Sequence, residues 1–221
     1  MEIPFLLAML AALLVLFFVS RAAVERIEKN HYEQRADLYR FTPIKEGDIV
    51  FMGDSITDGG CWEEFFPGLP VKNRGINADT TEGVLKRLGS ILYRSPAAIF
   101  FLIGTNDLNW WSYRHDDEIL ETYEQILQNC MMVSPATRVF VQSILPRKKK
   151  HYKHIVHLNE KLQGLVKKYG DEYIDLFPRF VDKEGEMKSH FTNDHLHLMS
   201  PGYKKWVEIL TPYLKEISKS S

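Results

Sequence analysis

The sequence predicts an α/β fold: a parallel sheet with helices on both faces, preceded by an apolar N-terminal helix. Three observations lead there. Short apolar runs alternate with segments whose apolar residues recur at helical spacing. Several of those runs end abruptly in small and polar residues, the way buried parallel strands deliver a chain to a ligand site. Ile3 to Val19 carries no charge at all.

The first strand is the clearest. Ile49 to Met52 is β-branched and aromatic and runs into Gly53-Asp54-Ser55. Cys61 to Phe66 predicts a short helix stopped by Pro67-Gly68, and Val71 to Arg74 a second strand ending at Gly75. Asp79-Thr80-Thr81-Glu82 offers capping side chains ahead of Val84, Leu85, Leu88, Ile91 and Leu92, a helix that Pro96 ends. Ala97 to Ile103 is the third strand and leads to Gly104-Thr105-Asn106-Asp107.

Ile119, Tyr123, Ile126, Leu127, Cys130 and Met131 stripe the next helix, and Arg138 to Ser143 is the fourth strand. Ile155 to Tyr169 is striped in the same way and closed by Gly170, before a fifth strand at Tyr173 to Asp175. Ser200-Pro201, a cap followed by proline in the first turn, opens a last helix expected to run to Leu214.

Seventeen residues from Ile3 to Val19 at about 1.5 Å each just reach across a hydrocarbon core of about 30 Å. The preferred reading is a single-pass membrane anchor over residues 1–20, with a cleaved signal peptide as the alternative. No basic residue precedes the run, and Ser20-x-Ala22 is a weak cleavage site. Ala22 to Tyr39 is a polar connecting helix within a linker over 21–47, and 48–221 is the α/β domain. Arg21, Arg26, Lys29 and Arg35 follow the run, so the positive-inside rule favours a cytoplasmic domain. Domains anchored in this way also face outward, which leaves the side open.

A net charge of −1 gives no case for nucleic acid as a partner. Cys61 and Cys130 lie far apart and read as free thiols, so no zinc site is expected. His151, His154 and His157 share a helical i, i+3 spacing and read as a solvated helix face rather than a metal site.

Three polar loops, at Gly53-Asp54-Ser55, Asn73-Arg74-Gly75 and Gly104-Thr105-Asn106-Asp107, leave consecutive strands, and Asp194-His195-Leu196-His197 precedes the last helix. Together they hold what acyl transfer needs: a serine hydroxyl, an imidazole oriented by a carboxylate, and donors for an oxyanion. No G-x-S-x-G is present, since Thr57 stands at the second glycine.

These blocks resemble the SGNH (GDSL-type) hydrolases, most closely the group of platelet-activating-factor acetylhydrolase catalytic subunits and carbohydrate O-acetylesterases. The resemblance covers Asp48 to Tyr213 and implies a flavodoxin-like α/β/α fold with a five-stranded sheet. It implies a serine esterase without metal or cofactor. It assigns Ser55 as nucleophile, His197 as base and Asp194 as its orienting carboxylate. The oxyanion donors it implies are the N–H groups of Ser55 and Gly75 and the amide of Asn106. Two departures stand out: His195 lies where the family often has glycine, and after Gly75-Ile76 the family often has glycine again, where this chain has Asn77-Ala78.

Asp54 and Asp107 read as supports for their loops. Trp110 and Trp111 read as packing or as a wall for a sugar ring or acyl chain. Arg147 to Lys150 follows a strand and reads as a solvated loop, or as a rim for anionic substrates or lipid head groups. The expected function is hydrolysis of a short acyl ester, most simply acetyl, of a carbohydrate or lipid at a membrane. Long-chain lysophospholipase or thioesterase activity, for which Phe65 and Phe66 are available, is the alternative. A non-catalytic anchored binding protein is the third reading. A homodimer is compatible with each.

Overall fold

The computed structural model describes residues 2–109 and 112–220. Strands β1 (Ile49–Gly53), β2 (Val71–Gly75), β3 (Ala98–Leu102), β4 (Arg138–Gln142) and β5 (Glu172–Ile174) pair in parallel in the order β2-β1-β3-β4-β5. The five expected strands are present, with ends shifted by no more than one residue. This is the flavodoxin-like order, in which connections leave β1 and β3 toward opposite sides of the sheet. A crevice therefore opens beyond the carboxyl ends of those two strands. Ser55 follows one and Asn106 the other.

Alternation along each strand divides the core into two layers. Val50, Met52, Ile99, Phe101, Val139 and Val141 face α4 (Thr81–Leu92), α5 (Asp116–Val133) and α6 (Tyr152–Tyr169). Ile49, Phe51, Ala98, Phe100 and Phe140 face α8 (Ser200–Ser220) and α3 (Trp62–Phe65). Phe51, Phe100 and Phe140 stack in a row, with centroids 5.1 and 4.3 Å apart. Each contributes about 1.5–3 kcal/mol relative to an exposed ring. Trp206 closes the layer and donates from its indole to Gln142 Oε1 at 2.6 Å.

Two helices run further than expected. α8 continues to Ser220 because its apolar stripe does: Leu210, Leu214 and Ile217 are all buried. At the other end, the anchor and the connecting helix form a single helix, α1 (Glu2–Phe41). No glycine or proline interrupts Ser20 to Tyr39, so nothing breaks the hydrogen-bond ladder. Phe5 to Val19 is exposed throughout, whereas Glu28, His31, Tyr32, Arg35, Ala36 and Tyr39 form a half-buried stripe at helical spacing against the domain.

Candidate active site

The site begins where β1 stops. Asp54 caps α2 (Ser55–Asp58) by accepting the Ile56 N–H at 2.9 Å. A Cβ on Gly53 would run into the Leu102 carbonyl and the Thr57 side chain, so only glycine lets α2 start this close to the sheet. Ser55 Oγ then lies 3.0 Å from His197 Nε2.

His197 Nδ1 lies 2.7 Å from Asp194 Oδ2, while Asp194 Oδ1 accepts the N–H groups of Leu196 and His197, both at 2.8 Å. With Nδ1–H donating to the carboxylate, Nε2 is left to accept the serine proton. Partial burial alone would raise the Asp194 carboxyl, but hydrogen bonds from His197 and Leu196 outweigh it and hold the group at about 2. His195 occupies the left-handed region at φ 63° and turns its ring toward Glu186, 3.7 Å away. His197 is the histidine that meets Ser55.

The opposite wall holds the hydrogen-bond donors. Ser55 opens α2, so its N–H has no partner within the helix. Asn106 opens the 3₁₀ turn Asn106–Leu108 after β3. Its Nδ2 donates to the Asp79 carbonyl at 2.9 Å and its Oδ1 accepts from Asn109 at 3.2 Å. One amide hydrogen thus stays available to the cleft.

Gly75 departs from expectation. Its N–H donates to Asn73 Oδ1 at 2.8 Å and so does not face the site. The glycine answers a packing demand instead, since a Cβ there would strike the backbone of Asp58. Ala78 takes the position by the cleft, at φ 59°, and its N–H has no acceptor among the described residues.

Three buried carboxylates tie these loops together. Asp107 accepts the N–H and hydroxyl of Thr81, the latter at 2.7 Å. Asp79 pairs with Arg87 at 2.8 Å, and Arg87 also donates to the carbonyls of Arg74 and Gly53. Burial pushes Asp54 up to about 7, with the charges of Asp79 and Asp107 adding to the shift. Burial likewise raises Asp79 to about 6 against the opposing pull of Arg87, and raises Asp107. The hydrogen bonds of Asp54 and Asp107 are made to Ile56 and Thr81 of the adjoining helices. Asp79 and Arg87, which the sequence did not single out as a pair, join them.

Ser55 and His197 open on a cleft of about 740 Å³ that includes Asn77, Ala78, Asn106, Asn109, Arg147 and Leu196, and also Glu28 of α1. Trp110 and Trp111 lie outside the described residues. Phe66 is buried and stacks with Phe51 and Trp62, and Phe65 meets Trp62 and Tyr203. Arg147 turns inward and donates to the Thr105 carbonyl at 3.1 Å, while Lys148 to Lys150 stay exposed. His154 is not merely solvated: a carboxylate distant in sequence, Asp116 of α5, meets its Nε2 at 2.5 Å.

Comparison with known proteins decides the family. Residues 51–205 match the GDSL-like Lipase/Acylhydrolase family. The chain belongs to that family. It is a hydrolase of ester bonds. The platelet-activating factor acetylhydrolase IB subunit alpha1 of Rattus norvegicus is 31% identical over 170 residues, covering 72% of this chain and 71% of that one. The alpha2 subunit of Homo sapiens is 31% identical over 175 residues, covering 73% of each. A GDSL-like lipase from Bacteroides thetaiotaomicron VPI-5482 shares the fold, with a TM-score of 0.71 at 22% identity over 86% of this chain and 97% of that one.

Proposed function

We propose that this GDSL hydrolase is a membrane-anchored serine esterase that removes a short acyl group, acetyl above all, from a carbohydrate or lipid. The observation that carries the mechanism is the relay from Ser55 Oγ to His197 Nε2 at 3.0 Å and from Nδ1 to Asp194 at 2.7 Å. Ser55 Oγ attacks the ester carbonyl as His197 Nε2 takes its proton. Negative charge gathers on the carbonyl oxygen, where the N–H groups of Ser55 and Ala78 and the Asn106 amide stabilise it. Collapse breaks the ester bond, and His197 gives its proton to the departing alcohol oxygen. Water then enters, loses a proton to the same nitrogen and releases the acid, restoring Ser55.

The lining of the cleft supports a short acyl group. Among the described residues around it, Ala78 and Leu196 are the only apolar side chains, whereas a long chain needs a continuous apolar trough. Phe66 cannot supply one from within the core. Arg147 in the wall favours substrates with a negative group near the ester. The exposed apolar residues from Phe5 to Val19 support the anchor.

Hydrolysis of p-nitrophenyl esters from acetate to palmitate, with Ser55→Ala as control, tests the reading. Preference for acetate and an inactive variant are expected. Preference for palmitate would move the substrate to long-chain lipids or thioesters. An inactive wild type would revive the reading of a non-catalytic anchored binding protein.

A further inference from the structure

α1 lies outside residues 51–205, the stretch that defines the family, yet it reaches the loops of the active site at three points. Tyr39 Oη donates to the Gly75 carbonyl at 2.7 Å. Tyr32 Oη donates to the Gly83 carbonyl at 3.2 Å. Gly75 and Gly83 bracket the segment that carries Ala78, so one helix holds both of its ends. Between them, Arg35 Nη2 donates to Tyr39 Oη at 2.6 Å and to Asp58 Oδ1 at 2.5 Å, and Asp58 ends the helix that Ser55 begins. Residues 32, 35 and 39 share one helix face by spacing.

The contact is supported from several sides. Two guanidinium groups pack over the Tyr39 ring, with Arg35 Cζ 4.8 Å and Arg74 Cζ 4.7 Å from its centroid. Arg74 is in turn held by the carbonyls of Asn73 and Thr42. A backbone donor serves an oxyanion only where the oxygen forms, and a small misplacement weakens it steeply.

We propose that Tyr39 and Arg35 are positioning residues: through them α1 fixes the Ala78 segment and the α2 turn, and with them the oxyanion donors. The proposal rests on the roles given above to Ser55 and Ala78. α1 is then part of the catalytic unit as well as its tether.

The test uses the full chain in detergent, with p-nitrophenyl acetate and a trifluoromethyl ketone that forms a hemiketal with an active-site serine. Tyr39→Phe keeps the ring under the guanidinium groups and removes only the hydroxyl. It is expected to lower kcat about tenfold, leave KM within about twofold, and weaken ketone binding in step with kcat. Arg35→Gln is expected to do the same. An unchanged kcat, or a rise in KM at constant kcat, overturns the proposal. So does a loss that disappears well below the melting midpoint, which would mark a stability effect alone. If Tyr39→Phe does not fold, Tyr32→Phe at the far end of the segment carries the same test. A wild type without turnover, or an active Ser55→Ala, refutes the catalytic reading and is distinct from these outcomes.

Discussion

The two walls of the cleft are built on opposite plans. On one, Asp194 and His197 are three residues apart, form their own turn and stay about half exposed, with side-chain exposures of 46% and 48%. On the other, the donors sit over a buried lattice of Asp54, Asp79, Asp107 and Arg87 that joins β1, β2, β3 and α4. In the proposed mechanism the base needs freedom to pass a proton and meet water, and a local, wet turn suits that. In the same proposal the donors must already be in place when charge develops, which contacts from distant parts of the chain suit. Each wall should therefore fail in its own way.

The largest loss is expected from Ser55→Ala, where the walls meet: about 10⁴-fold or more in kcat with melting unchanged, read by ester turnover and thermal denaturation. Asp194→Asn follows, about 10³–10⁴-fold, because the imidazole loses its tautomer. His195→Ala, one residue away, should stay near wild type in the same assay, and a matching loss would end the assignment of His197. Asn106→Ala on the anchored wall should cost about 10²–10³-fold in kcat with little change in KM.

A subtler difference concerns pH. Burial raises Asp54 to about 7, whereas an unfolded aspartate titrates near about 3.9. The folded chain holds that proton more tightly, so its stabilising effect is full below about pH 4 and is lost as pH rises to about 7. Urea midpoints at pH 5 and pH 8 should differ more in wild type than in Asp54→Asn, which keeps the cap without the charge. Equal differences would show that Asp54 is ionised throughout. The smallest effect is expected from Ala78→Gly, within about threefold in kcat, since glycine accepts the positive φ and keeps the N–H. A large loss would mean that the Ala78 methyl group shapes the cleft.

The same contrast governs what the sequence reveals. Asp194 and His197 are legible because their contact spans three residues, and the strands because apolar runs leave a compositional mark. Gly75 misleads because a glycine required for close approach to Asp58 looks like one required for a free N–H. Ala78 escapes notice because a main-chain donor has no side-chain signature. Its clue is that Asn77-Ala78 stands where the resemblance expects glycine. The Asp79–Arg87 pair and the grip of Tyr39 on Gly75 join segments whose proximity exists only in the fold.

The unbroken run of α1 has one more consequence, which concerns angle. A helix without a hinge transmits rotation as a rigid shaft does. From Val19 to Glu28 it climbs about 14 Å, and each residue added would turn everything beyond it by about 100°. The compass bearing of the cleft about the helix axis is thus written in the number of residues between its apolar half and Tyr39. A one-residue insertion there would swing the opening to another quarter, and four would bring it most of the way back.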